Sequence, residues 1–143
     1  MALYALSQRT TATAAGSANW EVRTAATNAP LVMEMGLTQN AATAGAYGIG
    51  RPAAIGVTPT SPQNFVTEGH ANAPTSITTA CVAWGTPPTV PANFNRRISC
   101  AATIGVGYIF SFPRGFQIPV SSSIVSWIIA TAPVADVYAV IDE

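Results

Sequence analysis

Short runs of β-branched and aromatic residues, separated by proline and glycine, dominate the last third of the chain. Within residues 105–141, runs rich in Val, Ile, Phe, Tyr and Trp alternate with Pro and Gly. These apolar residues favour strands, whereas Pro and Gly usually end them. No segment of the 143 residues repeats apolar positions at i, i+3, i+4 and i+7 over three helical turns. The sequence therefore predicts an all-β protein with about eight to ten short strands and no helix.

The strand pattern predicts one antiparallel β-sandwich domain that spans residues 1–143. Strict alternation after position 19 places Trp20 and Val22 on a buried face and Glu21 on the solvent face. Two sandwich types fit, an immunoglobulin-like fold and a jelly roll, and the uneven connections favour a jelly roll of about eight strands. The expected core consists of large apolar residues from several strands, namely Trp20, Val22, Met33, Trp84, Ile98, Ile109, Trp127, Val137 and Ile141.

Two segments stand apart from this strand pattern. Residues 1–18 are expected to form an N-terminal arm or a first strand. Residues 58–76 are rich in Pro, Thr, Ser and Asn, and they predict a long exposed loop of the kind that is often functional. Phe112-Pro-Arg-Gly predicts a turn, because Pro and Gly supply turn geometry.

Residues 124–141 are apolar enough to suggest a membrane helix, which needs about 20 mostly apolar residues. However, Pro133 and Asp136 interrupt this run, and its β-branched residues suit a strand better than a helix. We therefore expect two strands joined at residues 131–133 and no membrane partner. The N-terminal residues lack the positive segment and continuous apolar run of a secretory signal.

The chain carries very little charge. Six Arg, no Lys and six acidic residues make up 8% of the residues, whereas ordinary soluble domains have about 25%. Such a composition is typical of a subunit whose surface is covered by partner chains. The arginines are scattered and form no basic tail, so no nucleic-acid partner is expected.

No cluster of residues in the sequence predicts catalysis, a cofactor or a metal. His70 is the one histidine and has no Cys or carboxylate cluster beside it, so an exposed loop residue is expected. Cys81 and Cys100 lie in apolar runs and are expected to be buried free thiols. The carboxylates Glu21, Glu34, Glu68 and Asp136 are dispersed. We therefore predict no enzymatic activity, no catalytic, cofactor-binding or metal-binding residue and no cofactor.

Several strings of residues resemble small virion proteins of tailed bacteriophages. These strings are 50–59 (Gly-Arg-Pro-Ala-Ala-Ile-Gly-Val-Thr-Pro), 90–99, 112–115 and 135–143. The resemblance implies a jelly-roll virion protein of the capsid cement, or decoration, type. It further implies that the chain binds the major capsid protein and stabilises the head shell, often as a homotrimer. The expected location is the capsid surface of the virion, assembled in the host cytoplasm.

We expect the N-terminal arm and one loop end of the sandwich to contact the capsid or sister subunits. The candidate interface residues are Leu3, Tyr4, Leu6, Arg9, Arg51 and Arg96.

Three other roles remain open from the sequence. A receptor-binding or tail-fibre tip module would display residues 58–76 as its recognition surface. A carbohydrate-active enzyme would need paired carboxylates, which the sequence does not suggest. A cellular sugar-binding module would show glycan affinity as an isolated domain.

Overall fold

The computed structural model describes residues 2–69 and 71–143. Those residues form β-strands and no helix, which confirms the predicted all-β class. The strands are β1 (Leu3–Arg9), β2 (Ala18–Arg23), β3 (Leu31–Gln39), β4 (Gly45–Gly50), β5 (Val57–Pro59), β6 (Gln63–Asn64), β7 (Val66–Thr67), β8 (Thr79–Cys81), β9 (Trp84–Thr86), β10 (Arg96–Cys100), β11 (Gly107–Gln117), β12 (Ser123–Ala130) and β13 (Ala135–Asp142). The described part of the chain contains no helix that is long and apolar enough to cross a membrane.

Two large antiparallel sheets carry the fold. The front sheet has the strand order β11-β3-β13-β1-β7, and the back sheet has the order β10-β4-β12-β2-β8-β6. A separate two-stranded sheet joins β5 to β9. Residues of both large sheets share one apolar core, which is consistent with the predicted β-sandwich. The strands of five or more residues pair in nested order, β1 with β13, β2 with β12, β3 with β11 and β4 with β10.

The period of two along the strands accounts for the core. In β13, Ala135, Val137, Ala139 and Ile141 are buried, whereas Asp136 between the first two is exposed. This alternation is what a strand with one face on the core requires. Strand β12 differs, because six consecutive residues from its first position are buried. Both faces of β12 are therefore covered.

The second cover over β12 comes from residues 51–95, which connect β4 to β10 and are called the insertion here. Trp84 and Phe94 of the insertion pack against Val125 and Trp127 on the outer face of the back sheet. The backbone approaches closely there, since a Cβ at Gly48 would lie 2.7 Å from the Phe94 ring. The central strands β2, β4 and β12 of the back sheet are thus buried on both faces, in contrast to the front sheet.

A buried carboxylate joins the insertion to the back sheet. Glu21 of β2 is fully buried. Its oxygens accept hydrogen bonds from Trp84 Nε1 (2.6 Å), Ser123 Oγ (2.7 Å) and Gly56 N (3.2 Å), and Arg23 Nη1 lies 3.4 Å away in an ion pair. The predicted solvent position of Glu21 is therefore wrong. Alternation correctly places its side chain on the outer face, but the insertion covers that face.

Two further predictions are corrected by strand β11. Ile109 was expected in the core, yet it is 63% exposed, because the aromatic residues Tyr108, Phe110 and Phe112 take the inward positions. The predicted turn at residues 112–115 is a bulge within one strand, where the pairing with β3 shifts between Ser111 and Phe116. Gly115 supplies a positive φ of 69° inside this bulge.

The segment 58–76, predicted as a long exposed loop, contributes the short strands β6 and β7. Strand β6 pairs with β8 at the end of the back sheet, and β7 pairs with β1 at the end of the front sheet. Phe65 between them is buried in the core, while most described residues of the segment are exposed. The segment therefore closes one edge of the sandwich.

We expect the substitution Glu21→Ala to lower the free energy of unfolding by about 3–5 kcal/mol, because it leaves buried donors without an acceptor. Urea denaturation measures the loss, and hydrogen exchange at the Gly56 amide should become faster. Glu68→Ala is the matched control, since Glu68 is exposed and its loss should change stability by about 0.5 kcal/mol or less. An unchanged urea midpoint for Glu21→Ala would contradict this account of the insertion.

Candidate interaction surface

The outer face of the front sheet, called the front face here, is the large open surface of the sandwich. Strand pairing aligns its side chains in rows across the sheet. One row contains Ile109, Gly36, Tyr138 and Ser7, and the next contains Ser111, Glu34, Val140, Ala5 and Val66. Alternation explains the set, because each of these residues neighbours an inward-facing core residue along its strand.

The front face is apolar at its margins. Ile109 on β11 is 63% exposed, Val66 on β7 is 64% exposed and Leu3 on β1 is 41% exposed. These three aliphatic side chains lie on three different strands of one sheet, and Ala5 and Val140 lie between them. Isolated exposed aliphatic residues are normal on a protein surface, but several on one open face are typical of a contact surface.

The centre of the front face is flattened by a tyrosine that lies over a glycine. A Cβ at Gly36 would lie 2.1 Å from Cε1 of the Tyr138 ring, so only glycine leaves room for the ring. The Tyr138 hydroxyl donates a hydrogen bond to Glu34 Oε1 (2.5 Å). Burial, this hydrogen bond and the charge of Glu34 together raise the pKa of Tyr138 to about 12. The tyrosine is therefore neutral and held in place at neutral pH.

Two of the predicted interface residues lie on the front face. Leu3 and Arg9 occupy outward positions near the two ends of β1. Arg9 forms a two-point ion pair with Asp136 of β13, with both N–O distances at 2.8 Å. The hydrogen bond from Arg9 holds the pKa of the Asp136 carboxyl below its usual value. Asp136 therefore neutralises the charge of Arg9 on the front face itself.

The two other residues predicted on β1 point toward the core. Tyr4 is 2% exposed and its hydroxyl donates to the Pro74 carbonyl oxygen (2.9 Å), so its assignment to a partner interface is wrong. Leu6 is half-buried and packs against the core. The reason is the same for both, because even-numbered positions of β1 face inward.

The N-terminal residues form an internal strand and not a free arm. Strand β1 pairs along its whole length with β13 and on its other side with β7. Removing residues 2–9 would therefore take out a central strand of the front sheet, and the deletion would report on folding more than on partner binding.

Arg51 and Arg96, the last two predicted residues, lie at the sandwich edge formed by β10 and β11. The Arg51 guanidinium lies 4.5 Å from the Phe116 ring centroid and donates to the Gln117 carbonyl oxygen (2.7 Å). The Arg96 guanidinium lies 5.7 Å from the centroid of Phe112. The β11 bulge adds Arg114 to this edge. Arg96 and Arg114 both line a surface concavity of about 440 Å³. We call Arg51, Arg96 and Arg114 the basic edge.

The cysteines are free and buried, as the sequence predicts. Burial first, and the nearby Glu21 carboxylate second, raise the pKa of Cys81 to about 12, so this thiol is inert at neutral pH. The described residues contain no group of three or more His, Cys, Asp or Glu side chains that could hold a metal ion. His70 lies outside the described residues.

Four residues of these surfaces were not predicted from the sequence, namely Val66, Ile109, Tyr138 and Arg114. The exposure of Ile109 could have been predicted from the sequence, because the three aromatic residues of β11 occupy alternate positions and Ile109 lies between them. The larger aromatic side chains fill the core, so Ile109 is left on the opposite face. No comparable signal exists for Val66, since the two-residue strand β7 is too short to show a period.

Comparisons of the chain with protein families, with curated proteins and with solved structures gave no match.

We expect Tyr138 to make stability fall at alkaline pH. Its folded pKa of about 12 exceeds its ordinary value of 10.0, so its contribution is complete below pH 10 and is lost as the pH rises toward 12. The urea midpoints of the wild type and of Tyr138→Phe, measured from pH 7 upward, should therefore converge above pH 10. A difference that stays constant through this range would show that the hydroxyl proton is not held by the fold.

Proposed function

We propose that this chain is a structural subunit of a virus particle, a capsid cement protein that binds the outside of a tailed-phage head as a trimer. The observation that carries the proposal is the asymmetry of the sandwich. The insertion covers the central strands of the back sheet, and the front face is left open and apolar at its margins. The likeness of four sequence strings to small virion proteins supports the same role.

We further propose that the sandwich is a jelly roll. The nested pairing of β1–β13, β2–β12, β3–β11 and β4–β10 supports this, because rolling up one long antiparallel hairpin produces that order. The four longer strands of each sheet alternate between the two halves of the hairpin, as two Greek keys do. The short strands β5 to β9 belong to the insertion between the two central strands.

A cement protein has to hold neighbouring capsid subunits together without chemistry. An open sheet face suits this task, since strand pairing already fixes its backbone and little backbone entropy is lost on contact. The ring of Tyr138 is fixed by Glu34, and the charge of Arg9 is matched by Asp136. In a trimer, three such faces act together, and avidity multiplies a modest affinity of each.

The proposal assigns no catalytic role and no cofactor to the chain. Glu21 is buried and saturated by donors, and Asp136 is held by Arg9. The partners are the major capsid protein and sister copies, and the location is the outer surface of the virion.

The tail-fibre tip alternative requires residues 58–76 to act as a display loop. Strands β6 and β7 tie this segment to both sheets, and Phe65 anchors it in the core. A closed edge of this kind favours the cement hypothesis over a recognition loop.

Copy number separates the two hypotheses. We expect quantitative mass spectrometry of purified particles that carry this chain to give hundreds of copies per particle. Electron micrographs of particles in which this chain is labelled should show the label on the head. A handful of copies located at the tail would overturn the cement proposal in favour of the alternative.

We expect the double substitution Val66→Asp with Ile109→Asp to abolish attachment of the purified protein to heads that lack it. Each substitution removes the burial of one aliphatic side chain against the capsid, which is worth about 1.5–3 kcal/mol of binding free energy. The loss of both weakens binding about a hundredfold or more. Co-sedimentation with heads measures the bound fraction. Ile104→Asp is the matched control, because Ile104 is 67% exposed but lies in the β10–β11 connection. Equal loss of binding in the control would remove the front face from the proposal.

A further inference from the structure

Strand β11 lies at one end of the front sheet, and one side of its backbone has no partner strand. Among the described residues it pairs only with β3, and no backbone group outside β3 bonds to residues 107–111. In an antiparallel strand, alternate residues direct their N–H and C=O groups to opposite sides. Every second residue of this part of β11 therefore has unpaired main-chain groups.

Two hydrogen bonds at the end of β3 show how its residues alternate. The Gln39 amide donates to the Val106 carbonyl oxygen (2.8 Å), on the side of β3 where β11 lies. The next amide, that of Asn40, donates to the Val134 carbonyl oxygen (3.3 Å), on the side where β13 lies. Odd-numbered residues of β3 are therefore the ones that bond to β11.

The register then identifies the unpaired residues of β11. Tyr108 and Phe110 lie opposite odd-numbered residues of β3, so their main-chain groups bond to that strand. Gly107, Ile109 and Ser111 direct their N–H and C=O groups outward, and we call this side of residues 107–111 the free edge. The free edge carries no charged residue and no proline, which are the residues that commonly keep a strand edge from pairing.

The chemistry of the free edge matches another polypeptide. Its N–H and C=O groups recur at strand spacing, and an extended chain offers the complementary C=O and N–H groups at the same spacing. A phosphodiester backbone carries acceptors but no donors, so it cannot satisfy these carbonyl groups. An added strand is therefore the ligand that the free edge fits.

The free edge leads into the concavity at the β11 bulge. Ser111, its last residue, lines this concavity together with Arg96 and Arg114. Neither guanidinium has an acid within ion-pair distance among the described residues. Glu34 lies opposite Ser111 in register, but its carboxylate accepts from the Tyr138 hydroxyl. A chain that runs along the free edge thus meets two unmatched cations, which favour a carboxylate because a guanidinium donates two parallel hydrogen bonds to it.

A second copy of this chain does not supply that carboxylate. If two β11 strands paired antiparallel about Ile109, residues 101–107 of one copy would lie beside the concavity of the other. Those residues are Ala-Ala-Thr-Ile-Gly-Val-Gly, and none is acidic. Parallel pairing in register would place Arg114 of both copies side by side. The charges therefore favour a different protein as the source of the added strand.

We propose that the free edge binds an extended segment of the head shell as an added strand, with an acidic side chain of that segment at Arg96 and Arg114. This inference rests on the proposed function, because it names how the shell would engage the front sheet. The added strand would lie about 4.8 Å from β11, beside the exposed side chain of Ile109. Hydrogen bonds along the free edge and apolar contacts on the front face then act together.

Hydrogen exchange tests the strand addition. In the free chain, NMR should show that the amides of Gly107, Ile109 and Ser111 exchange about a hundredfold faster than those of Tyr108 and Phe110. The chain is then bound to purified heads that lack it, and exchange is followed by mass spectrometry. We expect the peptide that contains residues 107–111 to gain about three protected amides, since an added strand pairs with the outward groups.

A proline at position 111 blocks the free edge and spares the pairing with β3. Ser111→Pro removes one outward N–H, and proline is tolerated where the N–H of an edge strand faces solvent. We expect binding to heads to fall about tenfold, because a carbonyl of the added strand loses its donor. Ser111→Ala is the matched control, since it removes the same hydroxyl, keeps the N–H and should bind like the wild type. Similar urea midpoints for the two variants would show that the proline variant is folded.

Charge reversal in the concavity tests the acidic side chain. We expect Arg114→Glu to weaken binding to heads about tenfold or more, because it places a carboxylate against the carboxylate of the added strand. Arg97→Glu is the matched control. Arg97 is also exposed, but it lies outside the concavity with its guanidinium 5.7 Å from the centroid of Phe94, so its reversal should change binding about twofold or less. An equal loss for both variants would contradict a carboxylate bound in the concavity.

The outcomes separate this inference from the proposed function. If heads bind the chain while residues 107–111 gain no protection and Ser111→Pro binds like Ser111→Ala, the inference is wrong and the proposed function stands. A dimer of the free chain that Ser111→Pro disrupts in sedimentation velocity would assign the free edge to a second copy and overturn the inference. Wild-type protein that does not bind heads would remove the proposed function and this inference with it.

Discussion

The buried carboxylate of Glu21 is the interaction on which the asymmetry of this sandwich depends. It is the point where the insertion meets the back sheet, with Ser123 donating from the sheet and Gly56 and Trp84 donating from the insertion. A carboxylate in this position would be strongly destabilising without such donors. The network is therefore stabilising only when the insertion is docked, which links the conformation of residues 51–95 to the folding of the sheet.

Docking of the insertion determines which face of the sandwich can meet other chains. Because Trp84 and Phe94 cover the outer face of β12, the centre of the back sheet is buried on both sides, and its outer strands β10 and β6 are the exposed ones. The other connections between the longer strands are shorter, and the insertion adds β7 to the end of the front sheet but leaves Ile109 and Val66 on its outer face exposed. One long insertion in one connection thus produces both a sealed side and an open side.

The sequence predicted the features that local alternation determines. Trp20, Val22 and Ile141 were placed correctly in the core, because alternate residues of a regular strand face the same side. Long-range contacts escaped prediction for a physical reason. The burial of Glu21 depends on a segment more than thirty positions away, and Ile109 is exposed because neighbouring aromatic residues fill the core space. The pattern of one strand cannot show what lies above it.

The same limit applies to the predicted interface, and it separates two kinds of surface. Leu3 and Arg9 could be found from the alternation of β1, while Arg51 and Arg96 stood out as cations in a chain with few charges. Only the strand order shows that the first pair lies on a face and the second on an edge. A face and an edge offer different chemistry to a neighbour, since the face carries exposed aliphatic side chains and the edge carries guanidinium groups over aromatic rings. The proposed cement role fits the scarcity of charge, because a subunit whose open face is covered by other chains has less surface that must remain hydrated.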